Sequence, residues 1–230
     1  MSRVQIILGP PGTGKTTKLL NIVERSLKKG VPPERIAYLA FTRKAASEAQ
    51  ERAMVQFGFD ESRFPYFRTL HSLAFKVLGL QRDEVMTNEH YRKLGKILGV
   101  EFKDIGMHTG YGLGDKCSRV ESLARVGLRS IEKQHSLINQ NDLTLHAAIQ
   151  YDRCLKTYKR ENGLLDFTDM LEQFGSSLPI DICIIDEAQD LSSLQYRMAI
   201  MASKEASEIY IAGDDDQAIF GGAGQTSINS

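Results

Sequence analysis

Two clusters in this 230-residue chain have the residue types and spacing for phosphate chemistry. The first is Gly9-Pro10-Pro11-Gly12-Thr13-Gly14-Lys15-Thr16-Thr17, a G-x-x-x-x-G-K-T run with a second threonine behind it. Glycines in such a run let the backbone curl until several N–H groups converge on one anion, with no Cβ in the way. The lysine reaches β- and γ-phosphates, and the hydroxyl after it ligates Mg²⁺. This pattern assigns Gly9, Pro10, Gly12, Thr13, Gly14, Lys15, Thr16 and Thr17 to a nucleoside triphosphate, with ATP and Mg²⁺ as cofactors. The second cluster is Ile184-Ile185-Asp186-Glu187-Ala188-Gln189-Asp190. Asp186 is of the type to hold Mg²⁺ together with Thr16, and Glu187 of the type to orient or deprotonate an attacking water. Asp190 is expected to cap the helix that follows. A further acidic turn, Gly213-Asp214-Asp215-Asp216-Gln217, ends in a glutamine suited to sensing a γ-phosphate.

These groups act only if strands and helices bring them together. Val4, Ile6, Ile7 and Leu8 read as a buried strand entering the glycine-rich turn, and a helix over 15–29 leaves it. Gly30 with Pro32-Pro33 stops that helix. A second strand over 35–42 leads into a helix over 43–57, where Ala45, Ala46, Ala49, Ala53 and Phe57 recur at helical spacing. Residues 66–78 read as a short strand running into a helix. Such alternation implies right-handed crossovers and a parallel sheet flanked by helices, with ligands at the carboxyl edge of the strands. Strands over 181–191 and 208–220, with a helix over 192–203 between them, deliver Asp186, Glu187 and Gln217 to that edge.

Between residues 81 and 165 the strand signals vanish. Helical segments are expected near 88–98, 118–126, 130–140 and 143–161, with a flexible piece over 106–116. The expected organisation is a discontinuous α/β core, 1–80 and 166–230, carrying an inserted all-helical subdomain over 81–165. In the second part of the core, 166–174 reads as a short helix. His90, His108, His135 and His146 fall in the insert without metal-ligand spacing and read as exposed or capping residues.

Lys+Arg and Asp+Glu both number 29, which excludes a global basic field and confines nucleic-acid contact to a local groove. Cys117, Cys154 and Cys183 are too far apart for a zinc spacing or a disulfide framework, and Cys183 reads as core. No apolar run approaches membrane-spanning length and no leader pattern opens the chain, so a soluble cytoplasmic protein without membrane contact is expected. Lys44 and Arg52 read as solvated helix faces, as does the cluster Lys156, Lys159, Arg160, with duplex-DNA contact as its alternative.

Six motifs in family order give the chain a wider likeness. It resembles the N-terminal motor domain of superfamily 1 DNA helicases of the UvrD/Rep type. GPPGTGKTT (9–17) is similar to the family's Walker A, FTRKAASEAQERA (41–53) to F-T-N-K-A-A-x-E-M-x-x-R, and RTLHSLAF (68–75) to T-x-H-S-x. DFTDML (166–171) is similar to D-F-x-D-L, IIDEAQDL (184–191) to Walker B, and GDDDQAIF (213–220) to G-D-x-x-Q-S-I-Y. The resemblance implies a RecA-like P-loop NTPase fold with a 1B-like helical insert, and an ATP-hydrolysing 3′-to-5′ DNA helicase motor of DNA repair or replication. It implies catalytic roles for Lys15, Glu187 and Gln217. It also implies a single-stranded DNA path along Phe41, Thr42, Arg43, Thr69, His71 and Ser72, chemically reasonable for hydroxyls, an arginine and rings.

Three departures accompany the likeness. Gly222 stands where the family has a base-stacking aromatic, only three residues precede Val4 where the family has a glutamine-bearing segment, and the second RecA-like domain is expected in cis beyond Ser230 or in trans. Unwinding by this chain alone is therefore not expected. An AAA+-type ATPase and a lone nucleotide- and DNA-binding module without turnover are the alternatives.

Overall fold

The computed structural model describes residues 2–10, 12–103, 112–138 and 143–214. Among them are five strands: β1 (Arg3–Leu8), β2 (Ile36–Ala40), β3 (Phe67–Thr69), β4 (Ile182–Ile185) and β5 (Glu208–Gly213). Nine α-helices are described: α1 (Lys15–Lys28), α2 (Arg43–Phe57), α3 (Leu70–Val77), α4 (Asn88–Leu98), α5 (Leu113–Val126), α6 (Ile131–Leu137), α7 (Leu145–Asn162), α8 (Phe167–Gln173) and α9 (Ser193–Ala202). The chain divides into two compact units, one running up to residue 77 and resuming at 174, the other comprising 78–173.

In the first unit all described strand pairs are parallel, in the order β1-β5-β4-β2-β3. Alternate strand residues Ile36, Tyr38, Ala40, Ile182, Ile184, Tyr210 and Ala212 pack with Leu19, Ile22 and Val23 of α1 and Ala46, Ala49 and Ala53 of α2. The intervening residues Ala37, Leu39, Cys183, Ile185, Ile209 and Ile211 are buried too. Burial on both faces is why β2, β4 and β5 read as unbroken apolar runs. β1 departs from the expected buried strand: Val4, Ile6 and Leu8 are 55%, 50% and 48% exposed. Among the described residues β1 pairs with β5 alone, so it is a sheet edge.

Asp190 does not cap α9. Ser192 does, its hydroxyl accepting the Gln195 N–H at 3.3 Å while the Gln195 side-chain Oε1 accepts the Ser192 N–H at 2.9 Å. A single 3₁₀ turn, Ala188–Asp190, intervenes between strand and helix and leaves Asp190 exposed. That extra turn is what local pattern reading missed.

The helical unit packs Leu94, Cys117, Val120, Ala148, Tyr151, Leu155 and Tyr158 into one cluster. Its second helix begins at Leu113, so 113–116 are helical and not the flexible end of the 106–116 segment; residues 104–111 lie outside the described part. His90 accepts the Thr87 N–H through Nδ1 at 3.0 Å, a capping role, and His135 donates from Nε2 to the Leu143 carbonyl at 2.7 Å.

Lys159 is not on a solvated face. It is 5% exposed and pairs with Asp166 at 2.5 Å and Asp169 at 2.6 Å. Beside it Arg125 pairs with Glu121 and Asp166 (each 2.9 Å), Asp169 (2.5 Å) and Glu172 (2.8 Å). Asp166 and Asp169 also accept each other's backbone N–H, which starts α8. Burial would raise the Asp166 carboxyl, but Lys159 and Arg125 outweigh it and hold the group below its ordinary range. These pairs tie 166–173 to the helical unit, where the sequence pattern had put them in the α/β core.

Candidate nucleotide and DNA site

The glycine-rich loop grows out of β1 with the geometry its glycines permit. Gly12 and Gly14 both have φ of +79°, a left-handed conformation that side-chain-bearing residues resist. A Cβ on Gly9 would meet Thr13 Oγ1 at 2.8 Å, so this position has no room for one. The Thr13 hydroxyl donates to the Pro10 carbonyl at 2.7 Å and braces the turn. Pro10, Thr13 and Thr17 are exposed and Thr16 half-buried at the start of α1, whose first N–H groups add a positive dipole end. Pro11 lies outside the described residues.

Lys15 is 7% exposed, and a buried ammonium needs anionic partners. Its Nζ donates to the Gly9 carbonyl at 2.8 Å and pairs with the Asp214 carboxylate. Asp214 follows β5, the strand between the phosphate-loop strand and β4. The Asp214 N–H donates to Gln189 Oε1 at 3.2 Å, and Gln189 Nε2 donates to Glu187 Oε2 at 2.7 Å. A continuous polar chain thus runs from the loop lysine to Glu187.

Asp186, next to the end of β4, is held from three sides. Its N–H donates to the Leu39 carbonyl of β2 at 2.9 Å, its Oδ1 accepts the Glu187 N–H at 2.9 Å, and its Oδ2 accepts the Tyr38 hydroxyl at 2.5 Å. Burial pushes its carboxyl above the ordinary value, and the Glu187 charge adds to this. Partial desolvation raises the Asp190 carboxyl too, with the Glu187 and Asp214 charges contributing. Glu187 has φ of +51°, an uncommon backbone for a residue with a side chain and one often found at functional sites.

The residues expected along the DNA path gather at the ends of β2 and β3. Phe41 is 41% exposed directly after β2, and Arg43 is exposed at the first position of α2. The Thr42 hydroxyl accepts the Ala45 N–H at 3.1 Å and so caps α2. Thr69, buried at the end of β3, accepts the Ser72 N–H at 3.3 Å, and Ser72 Oγ accepts from Arg68 at 3.2 Å. A hydroxyl that accepts a helix N–H still has its own proton to donate. His71 is half-buried, and burial lowers its pKa, favouring the neutral ring. In sheet order the residues expected to hold phosphate follow β1, β5 and β4, and those expected along the DNA path lie at or beyond the ends of β2 and β3, all along one carboxyl edge.

The donor set fits a magnesium-bound nucleoside triphosphate. A glycine turn left-handed at Gly12 and Gly14 and tightly packed at Gly9, a buried lysine and a buried carboxylate meet at one edge. Thr16 and Asp186 are the candidate metal holders. Gln217 lies outside the described residues, as do Phe220 and Gly222. Three residues escaped the sequence reading. Asp214 and Gln189 sat inside recognised motifs but read as surroundings of other residues. Tyr38 carried no signal, being one aromatic in an apolar strand.

The family model of the UvrD/REP helicase N-terminal domain matches residues 1–227. The chain is 29% identical to the ATP-dependent DNA helicase srs2 of Schizosaccharomyces pombe over an alignment covering 94% of this chain and 28% of that protein. It is 26% identical to the putative ATP-dependent DNA helicase YjcD of Bacillus subtilis, with 94% of this chain and 30% of the relative covered. For the ATP-dependent DNA helicase Rep of Salmonella typhimurium the identity is 24%, with 97% and 35% covered. The chain spans roughly a third of the length of these relatives.

Proposed function

Because the chain belongs to the UvrD/REP helicase N-terminal domain family, we propose that it is the ATP-binding and ATP-hydrolysing part of a 3′-to-5′ DNA helicase motor. The single observation that carries this is the shared sheet edge: Lys15, Asp186 and Glu187 lie along one part of it, and Phe41, Arg43, Thr69 and Ser72 gather where the next two strands end. Nucleotide chemistry and DNA contact then share one rigid edge, which is what coupling hydrolysis to movement along DNA requires.

In this reading the loop N–H groups and Lys15 hold the phosphates, and Thr16 and Asp186 hold Mg²⁺. When bound there, Mg²⁺ would neutralise charge on the nucleotide's phosphates. Glu187, oriented by Gln189, accepts a proton from the attacking water. Arg43 and the Thr42, Thr69 and Ser72 hydroxyls meet the phosphates of single-stranded DNA, and Phe41 offers a stacking surface. Unwinding of duplex requires a second RecA-like domain, in cis or in trans, to close the nucleotide cleft.

Lys15→Ala is the direct test. It should abolish binding of a non-hydrolysable ATP analogue in calorimetry, with the unfolding transition retained. Single-stranded DNA should stimulate ATP hydrolysis by the parent. Unchanged nucleotide affinity in the variant removes the reading. Nucleotide and DNA binding without turnover would leave a binding module in its place.

A further inference from the structure

The proposed metal carboxylate is aligned by a residue outside every motif. We infer that Tyr38 is a positioning residue for Asp186, acting on Mg²⁺ through that carboxylate; the inference rests on the ATPase reading above. Tyr38 lies on β2 and Asp186 just beyond β4, its neighbour in the sheet. The parallel register sets Tyr38 opposite Ile184, two residues before Asp186, so both side chains emerge on the same face. The phenol donates to Oδ2 at 2.5 Å, while Oδ1 takes the Glu187 N–H. Each oxygen therefore carries one fixed donor and keeps one lone pair free, and the carboxylate cannot swing about its Cβ–Cγ bond without losing both.

Asp186 is 3% exposed, and water cannot readily replace a missing donor there. Mg²⁺ demands near-ideal octahedral geometry and tolerates little misalignment of a ligand carboxylate. A donor behind a metal ligand orients it and keeps it a good ligand, and removing one costs about 10- to 100-fold in metal affinity. The ring of Tyr38 has a separate task. It is fully buried and stacks on Phe67, with centroids 5.5 Å apart and planes at 25°. Tyr38→Phe keeps that stack and removes only the hydroxyl, which makes the two tasks separable.

The experiment is a Mg²⁺ titration at a fixed concentration of a non-hydrolysable ATP analogue, read by calorimetry. It compares the parent, Tyr38→Phe, Asp186→Asn and the double variant. Tyr38→Phe should need at least about tenfold more Mg²⁺ for half-maximal tightening of nucleotide binding. Affinity measured without Mg²⁺ should stay at the parent's value. In the Asp186→Asn background the same change should add nothing. An unchanged or lowered Mg²⁺ requirement in Tyr38→Phe overturns the inference. So does an equal effect with and without Asp186, because packing alone would then account for it. If Asp186→Asn itself leaves the Mg²⁺ requirement unchanged, the metal role of Asp186 fails first, and the ATPase reading fails with it.

Discussion

Replacing Glu121 with glutamine removes one negative charge from a cluster holding four carboxylates against two cations. The four are Glu121, Asp166, Asp169 and Glu172, and the cations are Arg125 and Lys159. Glu121 is 4% exposed, and burial pushes its carboxyl from 4.5 up to about 7. Arg125 opposes the shift but divides its attraction among all four carboxylates, and the Asp166 charge works against it. The stability contributed by the bound proton is thus fully present below about pH 4.5 and lost as pH rises through about 7. At about 1.4 kcal/mol per pH unit, the ionised form costs the folded state about 3 kcal/mol above neutrality. Glutamine mimics the protonated acid without titrating. Urea unfolding of parent and Glu121→Gln from pH 5 to 8.5 should show a small gap at the acid end. It should widen to about 3 kcal/mol in favour of the variant by pH 8. Parallel stability curves would refute the reasoning. A parent more stable than the variant at pH 8 would also do so, by showing that the Arg125 pair outweighs burial.

The remaining predictions concern the sheet edge. Glu187→Gln should bind the Mg²⁺-loaded ATP analogue like the parent and hydrolyse ATP at least about 100-fold more slowly in single turnover. Asp186→Asn should instead lose the Mg²⁺ dependence of binding, and identical behaviour of the two variants would contradict the division of roles. Asp214→Asn removes the carboxylate that competes with phosphate for Lys15, so nucleotide affinity should rise by about tenfold, or about 1.4 kcal/mol, in calorimetry. Arg43→Ala should weaken single-stranded DNA binding evenly across sequences. It should also lower the slope of log affinity against log salt by about 0.7, as expected for one lost phosphate contact.

Local pattern made much of this molecule legible. The Gly12-to-Gly14 turn, the strand before it and the helix after it announce themselves because glycine conformation, apolar runs and helix starts are short-range matters. The departures share a different cause. Val4, Ile6 and Leu8 look like a buried strand, yet their exposure depends on what lies beside β1. Lys159 looks like one of three surface cations on α7, yet Asp166 and Asp169 draw it inside. The motif-like segment 166–171 reads as the resumption of the α/β core, yet ion pairs to Arg125 and Lys159 carry it into the helical unit. Asp190 has the right chemistry for a cap, but the chain takes one 3₁₀ turn more before Ser192.

By itself the sequence determined which groups are available and in what local conformation: a glycine-rich turn, acidic strand ends, capped helices and a parallel α/β core interrupted by helices. Only the tertiary structure decided who meets whom. The strand order β1-β5-β4-β2-β3 sets Lys15 against Asp214, 199 residues later, and Tyr38 against Asp186, 148 residues later. Strand order is chosen by burying two apolar faces and pairing every interior strand at once. That condition acts on the whole sheet, and no single stretch of chain carries it.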